Sequence, residues 1–387
     1  MREAVIVDAI RTARGKRKGS FANTHPMDLP AHLLRSILKR QPKLSPELVD
    51  DVILGCVTPV GEQGFNIARG AVLASGMPIS VAGTTINRFC GSGQQAVHFA
   101  AQAVMSGEMD VVLAGGVEHM TRVPMGSDGL GGDGPMSKQL LERFPDLVPQ
   151  GLSAEMVAAK WGYNRQQVDA FALESQKRAA NAMEKGYFKN EIVPMEVTDA
   201  DGNKKIVDTD EHARPNTTLE GLGGLKLAFK EDGVITAGNS SGIVDGASIV
   251  LVMEKQKAFS LGLKPRARIT NMTVAGSDPV IMLTGPIPST QKSLARAGLK
   301  AKDIDLVEIN EAFAPVPMAV NQEIGFDHAK VNVNGGAIAL GHPLGATGGI
   351  LMATLLNEME RRDVRYGLQT MCIGYGMGIT CILDRKV

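Results

Sequence analysis

Aromatic side chains make up 4% of the 387 residues, too few for a platform on which bases could stack. An excess of one charge is missing as well. Lys+Arg and Asp+Glu stand at 41 each, so no global field would gather nucleic acid or an anionic membrane. Four cysteines, Cys56, Cys90, Cys372 and Cys381, are no disulfide framework in so long a chain, and neither CxxC nor a Cys/His zinc spacing occurs. A reducing compartment and no metal site are the expectations. Apolar runs long enough for a signal peptide or a membrane span are lacking, which makes the cytoplasm the simplest assignment. Gly-Lys-Ser/Thr of the phosphate-loop kind is also missing.

What is present suits tightly packed layers. Apolar residues reach 44%, Gly numbers 44 and Met 19, and the length fits two or three packed units. Short Val/Ile-rich runs alternate with helical stretches, the pattern of α/β layers. Strands are expected over Ala4–Val7 (interrupted by Asp8), Asp51–Gly55, Val111–Gly115, Leu306–Ile309, Leu368–Cys372 and Ile379–Leu383. The two ends of the chain resemble each other. The stretch from Leu44 to Gly55 matches that from Leu299 to Asn310, and in each half a long helix then leads through a charged turn into a buried strand. Between the halves the character changes. Gly126–Gly134 is a Gly-rich loop, and Asn164–Lys185 reads as an amphipathic helix with Asn164 and Gln167 as a capping box and Gly186 as its stop. The basic run Arg11, Arg14, Lys16, Arg17 and Lys18 reads as a solvated loop face.

Cys90 stands where an apolar stretch enters Cys-Gly-Ser-Gly and a helix begins. Helix N–H groups aimed at the sulfur would lower its pKa, and Gly91 and Gly93 would let a substrate come close to the backbone. The plain alternative is a buried structural cysteine. A dinucleotide reading of Gly91-x-Gly93-x-x-Ala96 fails, because Glu108 and Asp110 fall before the next strand and not at its far end. His342, in the Gly-rich turn Leu-Gly-His-Pro-Leu-Gly, could be held neutral and take a proton from a thiol. Cys372 follows a buried strand into another Gly-rich turn. Asn310 ends the strand Leu306–Ile309, at the strand end where α/β sites gather. Cys56 and Cys381 lie in apolar strand patterns and read as structural.

Together Asn-Arg-x-Cys-Gly-Ser-Gly, Gly-Gly-Val-Glu-His-Met, Asn-Glu-Ala-Phe, Gly-His-Pro-x-Gly and Met-Cys-Ile-Gly-x-Gly-Met-Gly, with Thr-Ala-Gly-Asn-Ser-Ser-Gly between them, resemble the thiolase family in family order across the chain. The resemblance implies a five-layer α-β-α-β-α fold of two similar halves, residues 1–118 with 248–268 and residues 269–387, and an inserted loop domain over 119–247. It implies that Cys90 is the nucleophile, His342 its base and Cys372 a second acid/base. Asn310, through a water, would join His342 in one oxyanion hole, and the N–H groups of Cys90 and Gly374 would form the other. Coenzyme A, a co-substrate rather than a resident cofactor, would meet Arg214, Phe229, Ala237, Ser241, Gly242, Ala312 and Phe313. A homodimer or homotetramer, and a multifunctional β-oxidation partner subunit, belong to the same implication.

Three positions depart from the family pattern. Ala346-Thr347 stands for Cys/Ala-Ser, Gly221 for a serine near the pantetheine arm, and Val-Pro-Gln-Gly-Leu for the His-Met-Gly of acetoacetyl-specific members. The last points toward the degradative, 3-ketoacyl-CoA-cleaving type over the acetoacetyl-CoA-forming type. A ketosynthase of the same fold would show two histidines, or His with Asn, and no Cys372. A silent lipid carrier would lack one of Cys90, His342 or Cys372.

Overall fold

The computed structural model describes residues 2–387. Its strands are β1 (Ala4–Arg11), β2 (Gly15–Lys16), β3 (Asp51–Gly55), β4 (Thr84–Ile86), β5 (Val111–His119), β6 (Met195–Thr198), β7 (Lys204–Val207), β8 (Val244–Glu254), β9 (Ala267–Gly276), β10 (Leu306–Ile309), β11 (Tyr366–Ile373) and β12 (Met377–Asp384). One hydrogen-bonded path runs β10-β11-β12-β9-β1-β8-β5-β3-β4. It contains the same motif twice. β3 lies parallel to β5, which is antiparallel to β8, which is antiparallel to β1. β10, β11, β12 and β9 repeat those senses in that order. The halves join at a narrow seam, where Val5 faces Arg268 and Ile6 faces Ala267.

Burial on both faces explains the unbroken apolar runs. In β8, Ile249, Leu251 and Met253 enter an outer core beneath the helices Asp28–Arg40 and Ile67–Ser75, while Val250 and Val252 face inward. The inner core takes residues from both halves and from two helices between them, Ser92–Ser106 and Thr347–Arg361. A second outer core lies under Pro286–Ala297 and Pro315–Ile324. The five layers follow: helices, sheet, helix pair, sheet, helices.

Between β5 and β8 lie the helices Gln150–Trp161 and Arg165–Glu184 and the β6–β7 hairpin. Asn164 and Gln167 form the capping box, and Gly186 takes φ +68° as the chain leaves the helix.

Two expectations need correction. β1 does not stop at Val7. It bulges between Ile6 and Asp8 and continues to Arg11. The carboxylate is tolerated because Arg40 Nε at 2.8 Å, Gln41 at 3.1 Å and Arg266 at 3.3 Å donate to it. The basic run is not a solvated face throughout. Lys16, Arg17 and Lys18 are exposed, but Arg11 and Arg14 are buried. Arg11 donates to Glu191 at 2.7 Å and to both oxygens of Asp210 at 2.7 and 2.9 Å, tying the inserted segment to β1.

Candidate active site

The turn after β4 delivers Cys90. Asn87 accepts from Phe89 N–H at 2.8 Å and donates to Val57 carbonyl at 2.9 Å, and Ser92 Oγ accepts from Arg88 N–H at 2.8 Å. Phe89 is forced to φ +45°, a left-handed conformation that is costly for an aromatic residue and held by this network. A second turn delivers His342. Its N–H donates to Gly242 carbonyl at 3.0 Å, and the buried Glu118 carboxylate at the end of β5 receives Gly345 N–H at 2.9 Å and Val57 N–H at 2.8 Å. The two turns meet where their helices begin. A Cβ on Gly93 would stand 2.5 Å from Gly345 carbonyl oxygen, and one on Gly348 2.0 Å from Gln94 nitrogen. The closeness anticipated at Gly91 and Gly93 is thus used by the protein itself: a Cβ on Gly91 would strike Ile373 at 2.5 Å.

Hydrogen bonding sets the imidazole tautomer. Thr347 Oγ1 donates its proton to Pro343 carbonyl at 2.9 Å, so at 2.6 Å it must accept from His342 Nδ1–H. Nε2 is left with its lone pair, which accepts from the Asn310 amide N–H at 3.4 Å. Burial first, and then the charge of Arg14, pull the His342 pKa down to about 3, so the ring is neutral across the physiological range.

The cysteine at the helix start is no preformed thiolate, contrary to the sequence expectation. Burial pushes the Cys90 thiol up to about 11. The Gln150 carboxamide and the N–H groups of Cys90 and Gly374 pull it down, and Glu118 pushes it up. Burial outweighs the donors. Cys372, in β11 and 1% exposed, is raised further still, by burial and then by the nearby Cys90.

The structure gathers Cys90, Gly374 and Cys372 in one place, and Asn310 with His342 beside Gly242. Ser241 N–H donates to Ala312 carbonyl at 2.9 Å, and Phe313 meets Phe229 edge-on at 5.9 Å, so Ser241, Gly242, Ala312, Phe313 and Phe229 form one flank. Ala237 is exposed near this flank. Arg214, earlier in the chain, is exposed, its charge felt by His212, and its backbone N–H donates to Gln176 at 2.8 Å. Gly221 N–H caps on Thr218 Oγ1 at 3.1 Å in an exposed turn. Cys56 and Cys381 are fully buried in the sheet cores.

Sequence reasoning passed over several neighbours. Gln150 lies in a segment that departs from the family pattern, but nothing in the sequence gives it a task. Thr347, a mild change in sequence terms, sets the tautomer. Arg14 is 3% exposed and its buried Nε meets no acceptor, while burial and then Arg11 draw its pKa down to about 10. His212, a histidine in polar sequence context, packs where a Cβ on Gly242 would stand. A basic residue between apolar Ala13 and Gly15, beside a strand, was the one available signal for Arg14.

Residues 4–256 match the family model described as thiolase, N-terminal domain, and residues 263–385 that described as thiolase, C-terminal domain. The chain is 48% identical over 390 residues, covering all of both proteins, to 3-ketoacyl-CoA thiolases of Photobacterium profundum and Vibrio cholerae serotype O1. The crystal structure of the Bacillus anthracis acetyl-CoA acetyltransferase superposes with a TM-score of 0.91 at 38% identity over 99% of each chain. With matches that span both halves, this chain belongs to the thiolase family.

Proposed function

We propose that the chain is an acetyl-CoA C-acyltransferase that cleaves 3-ketoacyl-CoA with coenzyme A through an acyl group on Cys90. The observation that carries this reading is a pair of buried thiols close enough to act on one another, with Cys90 packed in one apolar cluster with Leu344 of the turn that carries a neutral imidazole. As the Cys90 sulfur attacks the keto carbon, His342 Nε2 takes its proton. A thiol held near pKa 11 makes that transfer part of the attack. The oxyanion lies toward the N–H groups of Cys90 and Gly374. When the Cα–Cβ bond breaks, its electron pair enters the thioester enolate. The new Nε2–H, with Asn310 acting through a water, holds that oxygen. Cys372 then protonates the carbon, and acetyl-CoA leaves. Incoming coenzyme A gives its proton to Cys372, attacks the acyl thioester and expels the Cys90 sulfur, which recovers its proton from His342.

Coenzyme A acts here as co-substrate, approaching along Phe229, Phe313, Ser241, Gly242 and Ala312, with Ala237 and Arg214 farther out. In this reading 119–247 is the loop domain that receives it. The relatives named 3-ketoacyl-CoA thiolase support the degradative direction, and the acetyl-CoA acetyltransferase structure keeps acetoacetyl-CoA formation as the second reading. A series of 3-ketoacyl-CoA lengths, followed by coenzyme A-dependent loss of enolate absorbance, separates the two.

No helix among the described residues is long and apolar enough to cross a membrane, which accords with a cytoplasmic enzyme. A homodimer is supported by β4, at one end of the strand path. Beside it Phe65 and Ile79 are exposed, and Asn66 donates to Gly83 carbonyl at 2.8 Å. A tetramer, or docking on a multifunctional β-oxidation subunit, would use other faces.

The test is brief mixing with acyl-CoA in the absence of free coenzyme A. The acyl mass is expected on the peptide that contains Cys90. Acyl mass on Cys372 would overturn the assignment.

A further inference from the structure

A Cβ on Gly374 would lie 3.4 Å from Gln150 Nε2 and 3.7 Å from the ring of Phe89, the neighbour of Cys90, and the groups that draw the Cys90 thiol down against burial differ in kind. Two are backbone N–H groups, of Cys90 and Gly374, and the third is the side chain of Gln150. Gln150 comes from the inserted segment, not from either half of the sheet. It is the first residue of the helix Gln150–Trp161, entered through Pro149 in extended conformation. The helix is pinned next to the site. A Cβ on Gly151 would lie 2.3 Å from the Phe229 ring, and the Glu155 carboxylate accepts from Val234 and Ile235 N–H at 2.8 and 2.9 Å. The carboxamide is therefore presented on a fixed stem. The residue is partly buried.

We propose that Gln150 is a further catalytic residue, whose side-chain N–H stabilises the Cys90 sulfur whenever that sulfur carries negative charge. This rests on the reading of Cys90 as nucleophile. The charge arises twice. In the first event the S–H pair moves onto sulfur as His342 takes the proton and the new C–S bond forms. In the second, the tetrahedral adduct with coenzyme A collapses: the oxygen pair rebuilds C=O, the bond from the acyl carbon to Cys90 breaks, and its pair returns to sulfur. A donor to the leaving sulfur assists that expulsion, and an apolar side chain of equal length would not. The departure of Val-Pro-Gln-Gly-Leu from His-Met-Gly thus places a hydrogen-bond donor at the reacting sulfur.

The experiment compares Gln150→Met and Gln150→Glu with the unaltered enzyme. It reads the pH profile of Cys90 alkylation by iodoacetamide, located by mass spectrometry, together with kcat and KM for thiolysis. Loss of a hydrogen bond to a charged group predicts about tenfold slower alkylation below the midpoint in Gln150→Met, with the midpoint moved to higher pH. Gln150→Glu, which sets a carboxylate beside the sulfur, should move it further, and Gln150→Asn should recover part of the loss. In each, kcat should fall while KM for coenzyme A stays within about twofold. Unchanged alkylation profiles in both Met and Glu variants would overturn the proposal. So would equal losses in the two, accompanied by a lowered melting temperature and raised KM, since that pattern belongs to a merely structural residue. If the unaltered enzyme fails to alkylate at Cys90, the nucleophile assignment falls instead, and the two failures are told apart.

Discussion

Cys90 and Cys372 are both buried, both raised in pKa and close enough to influence one another, yet their surroundings differ. Cys90 sits in a turn at a helix start with a side-chain amide and two N–H groups around its sulfur. Cys372 sits inside β11, paired across to Gly378 in β12, with its own backbone N–H as the one donor that draws it down. The first environment stabilises a negative sulfur without forming the thiolate at rest. The second favours the protonated thiol. In the proposed mechanism the same side-chain type thus takes two roles, set by the density of donors around each sulfur.

The bluntest way to break this comparison is to remove the sulfur at position 90. Cys90→Ala should abolish acyl labelling and lower thiolysis on the order of 10⁶-fold, the scale of nucleophile loss in other covalent enzymes. Labelling that moved intact to Cys372 would show that the two sites are interchangeable, against the account.

A finer probe concerns the base proposed for Cys90. Thr347→Val removes the acceptor for His342 Nδ1–H and frees the ring to take the other tautomer. A buried donor left without a partner costs about 1–3 kcal/mol, so kcat should fall by roughly 5- to 160-fold. Thr347→Ser keeps the hydroxyl and should recover most of the rate, whereas equal losses in both would assign the effect to packing of the methyl group.

The smallest effect concerns Arg14. Its charge helps hold the His342 pKa low, after burial, so a neutral replacement raises that pKa. The imidazole is competent as a base above its pKa. The acid limb of the kcat profile should therefore move to higher pH in Arg14→Met, while kcat at neutral pH changes by less than about twofold. A limb that moved to lower pH, or not at all, would mean that the guanidinium does not act on His342.

Much of the architecture was legible because it rests on local pattern. The buried runs at Asp51–Gly55 and Leu306–Ile309, and the capping box at Asn164 and Gln167, are set by neighbours in sequence. So was the repeat of the halves, since each carries the same order of helix and buried strand. What escaped depends on distant contacts. Asp8 stays in a strand because Arg40, Gln41 and Arg266 reach it, and Arg11 is buried because Glu191 and Asp210 arrive from the inserted segment. The direction of the Cys90 shift was misjudged for the same reason. A helix start is visible in sequence, but the apolar shell of Val57, Met120, Leu344, Leu351 and Met371 that buries the sulfur is assembled from both halves.

The division of labour between the thiols is tested most directly with Cys372→Ala. Steady-state thiolysis should be measured beside exchange of the α-proton of acetyl-CoA into deuterated water. Loss of a general acid–base group predicts a fall of about 10²–10⁴-fold in both assays, while Cys90 still alkylates with an intact pH profile. Near-unaltered rates of thiolysis and exchange in Cys372→Ala would contradict the assignment of the proton transfers to that sulfur.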